Sequence, residues 1–208
     1  MFDLGRTIFN TAERNPDALA IVDGEVRLAN GDWAELIGRV ANGLRALGLE
    51  PGDHVVTMLQ NRWQMATIHW ACQVARLIAT PLNWRFSTNE LDFCLADADA
   101  SAVVFEDASA TAVAGSETAR SILRIAIDDR QKAEHSFEAL HAGDAVMSPD
   151  ATAEDFSLML YTSGTTGRPK GVPRRHRVER AAAVAHVAQN RYATGERTLG
   201  VMPLYHTM

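Results

Sequence analysis

Short apolar runs of strand length alternate with segments whose apolar residues recur at helical spacing, and this order constrains the fold more than any single motif. Leu19 to Leu28 holds two short apolar runs around Asp23-Gly24, the mark of a hairpin. Trp33, Leu36, Ile37, Val40, Ala41, Leu44 and Leu47 then form one apolar helical stripe. Asp32 is its expected N-cap, with Glu35 three residues on, and Gly48 its expected stop. His54 to Leu59 reads as a buried strand, Trp63 to Leu77 as a helix, and Ile78 to Leu82 as a strand ending near a proline. Ser87-Thr88-Asn89-Glu90 is a capping box opening a helix to about Asp97. Ala102 to Phe105 and Ile122 to Ile127 are again of strand length. Residues 128–155 are polar and hold Gly143 and Pro149, so they read as a surface excursion or a subdomain boundary. Ser157 to Tyr161 reads as a strand, Arg177 to Asn190 as a helix, and Thr198 to Met202 as one more strand. The alternation predicts an α/β domain with a mostly parallel sheet flanked by helices.

Composition narrows the function classes. The 208 residues, 47% apolar and 22% charged, suffice for a sizeable core in one large domain or two small ones. Twenty basic against 26 acidic residues leave a net charge of −6, which disfavours sequence-independent nucleic-acid binding. Cys72 and Cys94 are too few for a disulfide framework and lack metal-ligand spacing, so two buried reduced thiols are expected and no metal site. The N-terminus has no long apolar stretch, and the most apolar segment, Met65 to Leu82, is broken by His69, Gln73 and Arg76. No transmembrane segment is expected, and the cytoplasm is the expected compartment.

The chemistry concentrates in Tyr161-Thr162-Ser163-Gly164-Thr165-Thr166-Gly167-Arg168-Pro169-Lys170-Gly171-Val172. Glycines let a backbone approach a ligand closely, and successive N–H groups in such a loop form an anion-binding nest. Four hydroxyls and the Lys170 ammonium add phosphate donors. An ordinary serine- and threonine-rich surface loop is the plain alternative. At about 6% per residue type, however, eight fixed positions coincide by chance roughly once in ten billion starts. The spacing is neither that of a Walker A loop nor that of the Rossmann three-glycine turn.

This segment resembles the phosphate-binding signature of the adenylate-forming (AMP-binding) superfamily. Other stations are similar in the same order: Trp33-Ala34-Glu35-Leu36, Pro51-Gly52-Asp53-His54-Val55, Asn61, Thr80-Pro81-Leu82-Asn83, Glu90-Leu91 and Met202-Pro203-Leu204-Tyr205-His206. Trp84-Arg85 after Pro-Leu-Asn, and the Pro-Leu-Tyr-His segment, look more like the acyl- and aryl-CoA synthetase branch than peptide-synthetase adenylation domains.

The resemblance implies the N-terminal part of an acyl-CoA-synthetase-like large domain. It implies ATP-dependent adenylation of a carboxylic acid, then thioester formation with CoA, with Mg²⁺ accompanying ATP. Thr162, Ser163, Gly164, Thr165, Thr166, Gly167 and Lys170 would hold the β- and γ-phosphates, and His206 would lie at the acid pocket. Residues 1–208 would form an incomplete N-terminal AMP-binding domain without the small C-terminal domain and its adenylation lysine, so no catalytic residue is assignable and the chain alone is expected to turn over little. Exposed apolar surface follows from the same expectation. The alternative expectation is a short non-catalytic module, derived from that family, that binds a nucleotide or a partner.

Arg168, Lys170, Arg174, Arg175, Arg177 and Arg180 read, apart from Lys170, as a solvated helix face. Trp63, Met65 and Trp70 read as core, and His176 as non-catalytic. Arg76 stands where the family commonly has glycine; if glycine is needed there to end the helix or for close packing, arginine is expected to strain or rearrange the helix–strand junction.

Overall fold

The computed structural model describes residues 3–128, 133–162 and 168–206. Asp3 caps the first helix, α1 (Leu4–Arg14), by accepting the Arg6 N–H at 2.7 Å. β1 (Leu19–Asp23) and β2 (Val26–Ala29) form the expected antiparallel hairpin, with Gly24 at φ 54°. β2 runs directly into α2 (Asn30–Ala46). The N-cap is therefore Ala29, and Asp32 sits inside the first turn, where its charge favours the helix dipole. Glu35 pairs with Arg39 one turn on instead of closing a capping box. Gly48, at φ 92°, lies just beyond the last turn as expected.

A seven-stranded sheet follows. It contains β3 (His54–Met58), β4 (Ile78–Pro81), β5 (Ala100–Phe105), β6 (Leu123–Ala126), β7 (His135–Ser136), β8 (Phe156–Thr162) and β9 (Lys170–Arg175). Their spatial order is β7-β6-β5-β3-β4-β8-β9, and every pairing is parallel except β8 with β9. A parallel pair needs a crossover that covers a face, and the helices between the strands supply it. Val55, Ala79, Ala102, Val104, Leu158 and Leu160 face α1, α2 and α3 (Trp63–Ala75). Val56, Met58, Val103 and Phe105 face α4 (Thr88–Asp97) and α5 (Ala110–Gly115). The α2 stripe is buried as its spacing predicts, with Ile37, Val40, Ala41 and Leu44 inaccessible. Cys72 and Cys94 are free and buried, and burial pushes both thiols up to about 12.

The Ser87 capping box is formed in full. At the end of α3, Arg76 takes the left-handed conformation, φ 61° and ψ 28°, where a residue with a Cβ is strained. Its N–H still closes the helix on the Cys72 carbonyl, and its guanidinium reaches Asp155 at 3.3 Å.

Residues 133–155 carry β7 and α6 (Phe137–Leu140), then run back over α2. Val146 N–H bonds the Gly38 carbonyl at 3.1 Å, and the Asn42 amide bonds the Asp144 carbonyl at 3.0 Å. Two elements depart from expectation. β9 is a strand where the sequence read as loop. Conversely, residues 198–202 form no strand: Leu199 and Val201 are 83% and 74% exposed, and the Asn61 side chain takes the Gly200 and Met202 carbonyls. Among the described residues, no helix is long and apolar enough to cross a membrane.

Candidate functional site

Side chains alternate along a strand, so the β8–β9 ladder sorts its residues onto two faces. Leu158, Leu160 and Thr162 share one face with their partners Arg174, Val172 and Lys170. Met159 and Tyr161 turn to the other. There the Tyr161 hydroxyl donates to the Asp97 carboxylate at 2.8 Å. Burial, then the Asp97 charge, push the Tyr161 phenol far above its ordinary range, so it stays a neutral donor. Gly171 lies opposite Tyr161, and a Cβ there would run into the Met159 methyl.

The first face looks into a cavity of about 480 Å³. Its floor is Thr57, Ala79, Pro81, Leu158 and Leu160 from the sheet. One wall is α3, with Met65, Ala66, His69 and Trp70; the other is α7 (His176–Asn190), with Glu179, Ala182, Ala183 and His186. Arg174 closes one side, and Leu204 and His206 another. The His69 and Trp70 rings meet edge to face at 5.7 Å. Loss of water around His69, with repulsion from His176, lowers its pKa to about 4, so the ring is neutral at pH 7. Arg174 and Glu179 form an ion pair in the wall. Burial raises the Glu179 carboxyl, and Arg174 partly offsets the rise.

Of the residues singled out by sequence, Thr162 and Lys170 lie directly opposite each other as the last pair of the ladder. Both are on the cavity face. Ser163, Gly164, Thr165, Thr166 and Gly167 lie outside the described residues. His206 lines the cavity, following Tyr205, which is buried in the main core. His176 is structural: it is inaccessible, and its Nδ1 accepts the Leu4 N–H at 3.0 Å, fastening α1 to the start of α7. Met65 is core, and Trp63 and Trp70 pack against the core, as expected; Met65 and Trp70 also line the cavity.

The arginines after the loop are not one solvated helix face. Arg174 and Arg175 lie on β9, Arg175 over the Phe156 ring at 4.4 Å, and Arg168 reaches the Phe93 ring at 5.7 Å. His69, Arg174, Glu179 and His186 were not singled out as site residues from the sequence. Their convergence depends on β9, whose Pro173 and unalternating charges hide it. Among the described residues, no group of three His, Cys, Asp or Glu side chains gathers to hold a metal ion.

A family model described as "AMP-binding enzyme" matches residues 8–208. A feruloyl-CoA synthase from an Amycolatopsis species is 32% identical over 203 residues, covering 98% of this chain and 39% of that protein. A Rhodopseudomonas palustris structure assigned as a long-chain-fatty-acid CoA ligase superimposes with a TM-score of 0.90 at 28% identity, over 99% of this chain and 52% of that one. ATP-bound MatB, also from Rhodopseudomonas palustris, superimposes with a TM-score of 0.85 at 26% identity, over 98% and 41%. The chain thus spans about two-fifths of the length of the curated relatives it matches.

Proposed function

The chain belongs to the AMP-binding enzyme family, and from that premise we propose that it serves AMP-forming ligation of a carboxylic acid to CoA. In this reading the acid carboxylate attacks the α-phosphorus of ATP, forming a P–O bond as the bond to pyrophosphate breaks. The CoA thiol then attacks the acyl carbon, gives up its proton and displaces AMP. Residues 1–208 are read as an incomplete N-terminal AMP-binding domain, and turnover calls on family residues beyond those seen here. In this reading the protein works in the cytoplasm, where ATP and CoA are both at hand.

The observation that carries this reading is the shared face of Thr162, Lys170 and the cavity. Ser163, Gly164, Thr165, Thr166 and Gly167, proposed to bind the same phosphates, stand in the sequence between Thr162 and Lys170, the last pair of the ribbon whose side chains floor the proposed acid pocket. Lys170 supplies fixed positive charge to the β- and γ-phosphates, where leaving-group charge develops. Mg²⁺ enters with the nucleotide.

In this reading His206, which lines the cavity, borders the acid. The cavity's size and its Trp70 and Met65 walls suit an aryl acid or one of medium length. The feruloyl-CoA synthase similarity supports trying ferulate first.

The test is ATP and ferulate binding to the 208-residue chain, the first by calorimetry and the second by tryptophan fluorescence, with decanoate as comparison. Lys170→Ala should weaken ATP about tenfold, the loss of one charge-assisted contact, and leave ferulate unaffected. His206→Ala should weaken ferulate and leave ATP unaffected. A wild-type chain that binds neither ATP nor an acid, or whose ATP affinity ignores Lys170→Ala, overturns the reading.

A further inference from the structure

We propose that Asn61 is a positioning residue, holding the 200–204 segment so that His206 is presented to the cavity. The inference rests on the acid-binding reading given above.

Asn61 follows β3 at the carboxyl edge of the sheet. Its Nδ2 donates to the Met202 carbonyl at 2.7 Å and the Gly200 carbonyl at 3.1 Å, and its Oδ1 accepts the Leu204 N–H at 2.8 Å. One carboxamide thus uses both donors and its acceptor on a single segment about 140 residues away in sequence. A planar amide offers that combination; a carboxylate, a hydroxyl or an ammonium does not.

The segment has little else to fix it. Leu199 and Val201 are largely exposed, and the backbone bonds Val201 to Leu199 and His206 to Pro203 are local. Tyr205, buried in the core, is its second anchor. One buried ring sets a position without setting the direction of the chain on either side of it. The Asn61 bonds supply the second point, and His206 is the residue immediately after Tyr205.

Asn61 itself stands on a rigid base. Its neighbours Gln60 and Arg62 both bind the buried Glu106 carboxylate, at 2.6 and 2.8 Å. The arrangement carries the order of the sheet's carboxyl edge across to the far wall of the cavity.

The experiment compares the wild-type 208-residue chain with Asn61→Ala, His206→Ala and the double variant. The readouts are amide hydrogen exchange, thermal unfolding and ferulate affinity. In Asn61→Ala, exchange at Leu204 should accelerate at least tenfold, while β3, β4 and β5 amides and the midpoint stay as in wild type. Ferulate affinity should fall about tenfold. In the His206→Ala background, Asn61→Ala should change it no further, because the residue acts through His206.

Additive losses, unchanged protection at Leu204, or loosening across the whole sheet each overturn the proposal. Should Asn61→Ala fail to fold, Asn61→Asp keeps the acceptor and loses both donors: it should preserve Leu204 protection and still weaken ferulate through His206. A wild-type chain that binds no ferulate counts against ferulate as the acid, and against the proposed function itself only if decanoate and ATP fail too. The exchange comparison then decides by itself whether Asn61 holds the segment.

Discussion

The Glu106 carboxylate, 2% exposed, is paired with the Arg62 guanidinium at 2.8 Å across the carboxyl ends of β5 and β3. These are the two strands at which the order of the parallel sheet reverses direction. A buried carboxylate is tolerated there because the Gln60 N–H and Arg62 both satisfy it. Arg62→Ala leaves that charge with one backbone donor. Arg62 is itself about a third exposed, so the loss should be about 2–3 kcal/mol, at the low end for breaking a buried pair. Adding Glu106→Gln should recover more than half of it. Urea unfolding of the single and double variants checks both figures, and a single-variant loss below about 0.5 kcal/mol would show that the pair contributes little.

Acid should weaken the fold through its histidines. Burial lowers His69 to about 4 and also lowers His54 and His176. A histidine whose folded pKa lies below its unfolded value of 6.5 binds fewer protons folded than unfolded between those values. Its stability contribution is therefore complete above pH 6.5 and is lost as pH falls toward 4. For His69 the span corresponds to about 2–3 kcal/mol, allowing for its contact with the cavity. Unfolding free energies at pH 7.5 and 4.5 should differ by at least that amount, and His69→Gln should shrink the difference. An equal difference in the two proteins would remove His69 from the explanation.

Arg76 ends α3 in a conformation that disfavours a Cβ by about 1–2 kcal/mol. Its ion pair with Asp155, partly exposed on both sides, offsets about 0.5 kcal/mol. Arg76→Gly should therefore raise stability by about 0.5–1 kcal/mol, and Arg76→Val should lower it by about 1–2 kcal/mol through the β-branch and the lost pair. Chemical denaturation of the two variants makes the comparison. A glycine variant less stable than wild type would place the larger effect in the ion pair.

The helix α2 approaches α6 through Gly43, where a Cβ would overlap the Leu140 carbonyl oxygen and lie 2.7 Å from its carbon. Backbone on both sides leaves nothing flexible to yield. Gly43→Ala should cost about 2–3 kcal/mol despite alanine's better helix propensity. At the neighbouring, half-buried position, Asn42→Ala loses a bond to the Asp144 carbonyl and should cost about 1 kcal/mol. Equal effects would mean that the 133–155 segment detaches without consequence.

Much of this architecture was legible in the residues because the relevant physics is local. The Ser87–Glu90 box, the Asp23-Gly24 hairpin and the α2 stripe each state their conformation within a few positions. The boundary of α2 was not legible, since Asp32 is a good cap by type and only the direct passage of β2 into the helix moves the start to Asn30. β9 was missed because Lys170–Arg175 holds no apolar alternation and becomes a strand by pairing with β8 at a sheet edge. Residues 198–202 misled in the opposite way: their apolar character is real, but Asn61 takes two of their carbonyls and leaves the side chains outside. Motif reading named Thr162, Lys170 and His206, which the fold sets on the cavity face of the β8–β9 ladder and in the cavity lining. The wall formed by His69, Trp70, Arg174 and Glu179 depends on three elements that meet only in the fold.

On the proposed function, the facing pair of Thr162 and Lys170 has a consequence for how a polyphosphate is received. Residues 163–169 are tethered at both ends to neighbouring strands, whatever path they take between them. The Thr162–Lys170 pairing already brings the ends of that stretch together, so the entropy of closing it is spent when the ladder forms and not when the proposed nucleotide binds. On the proposed function, lengthening residues 163–169 would leave the sheet register intact and weaken ATP binding gradually, whereas breaking the ladder beneath them would abolish it.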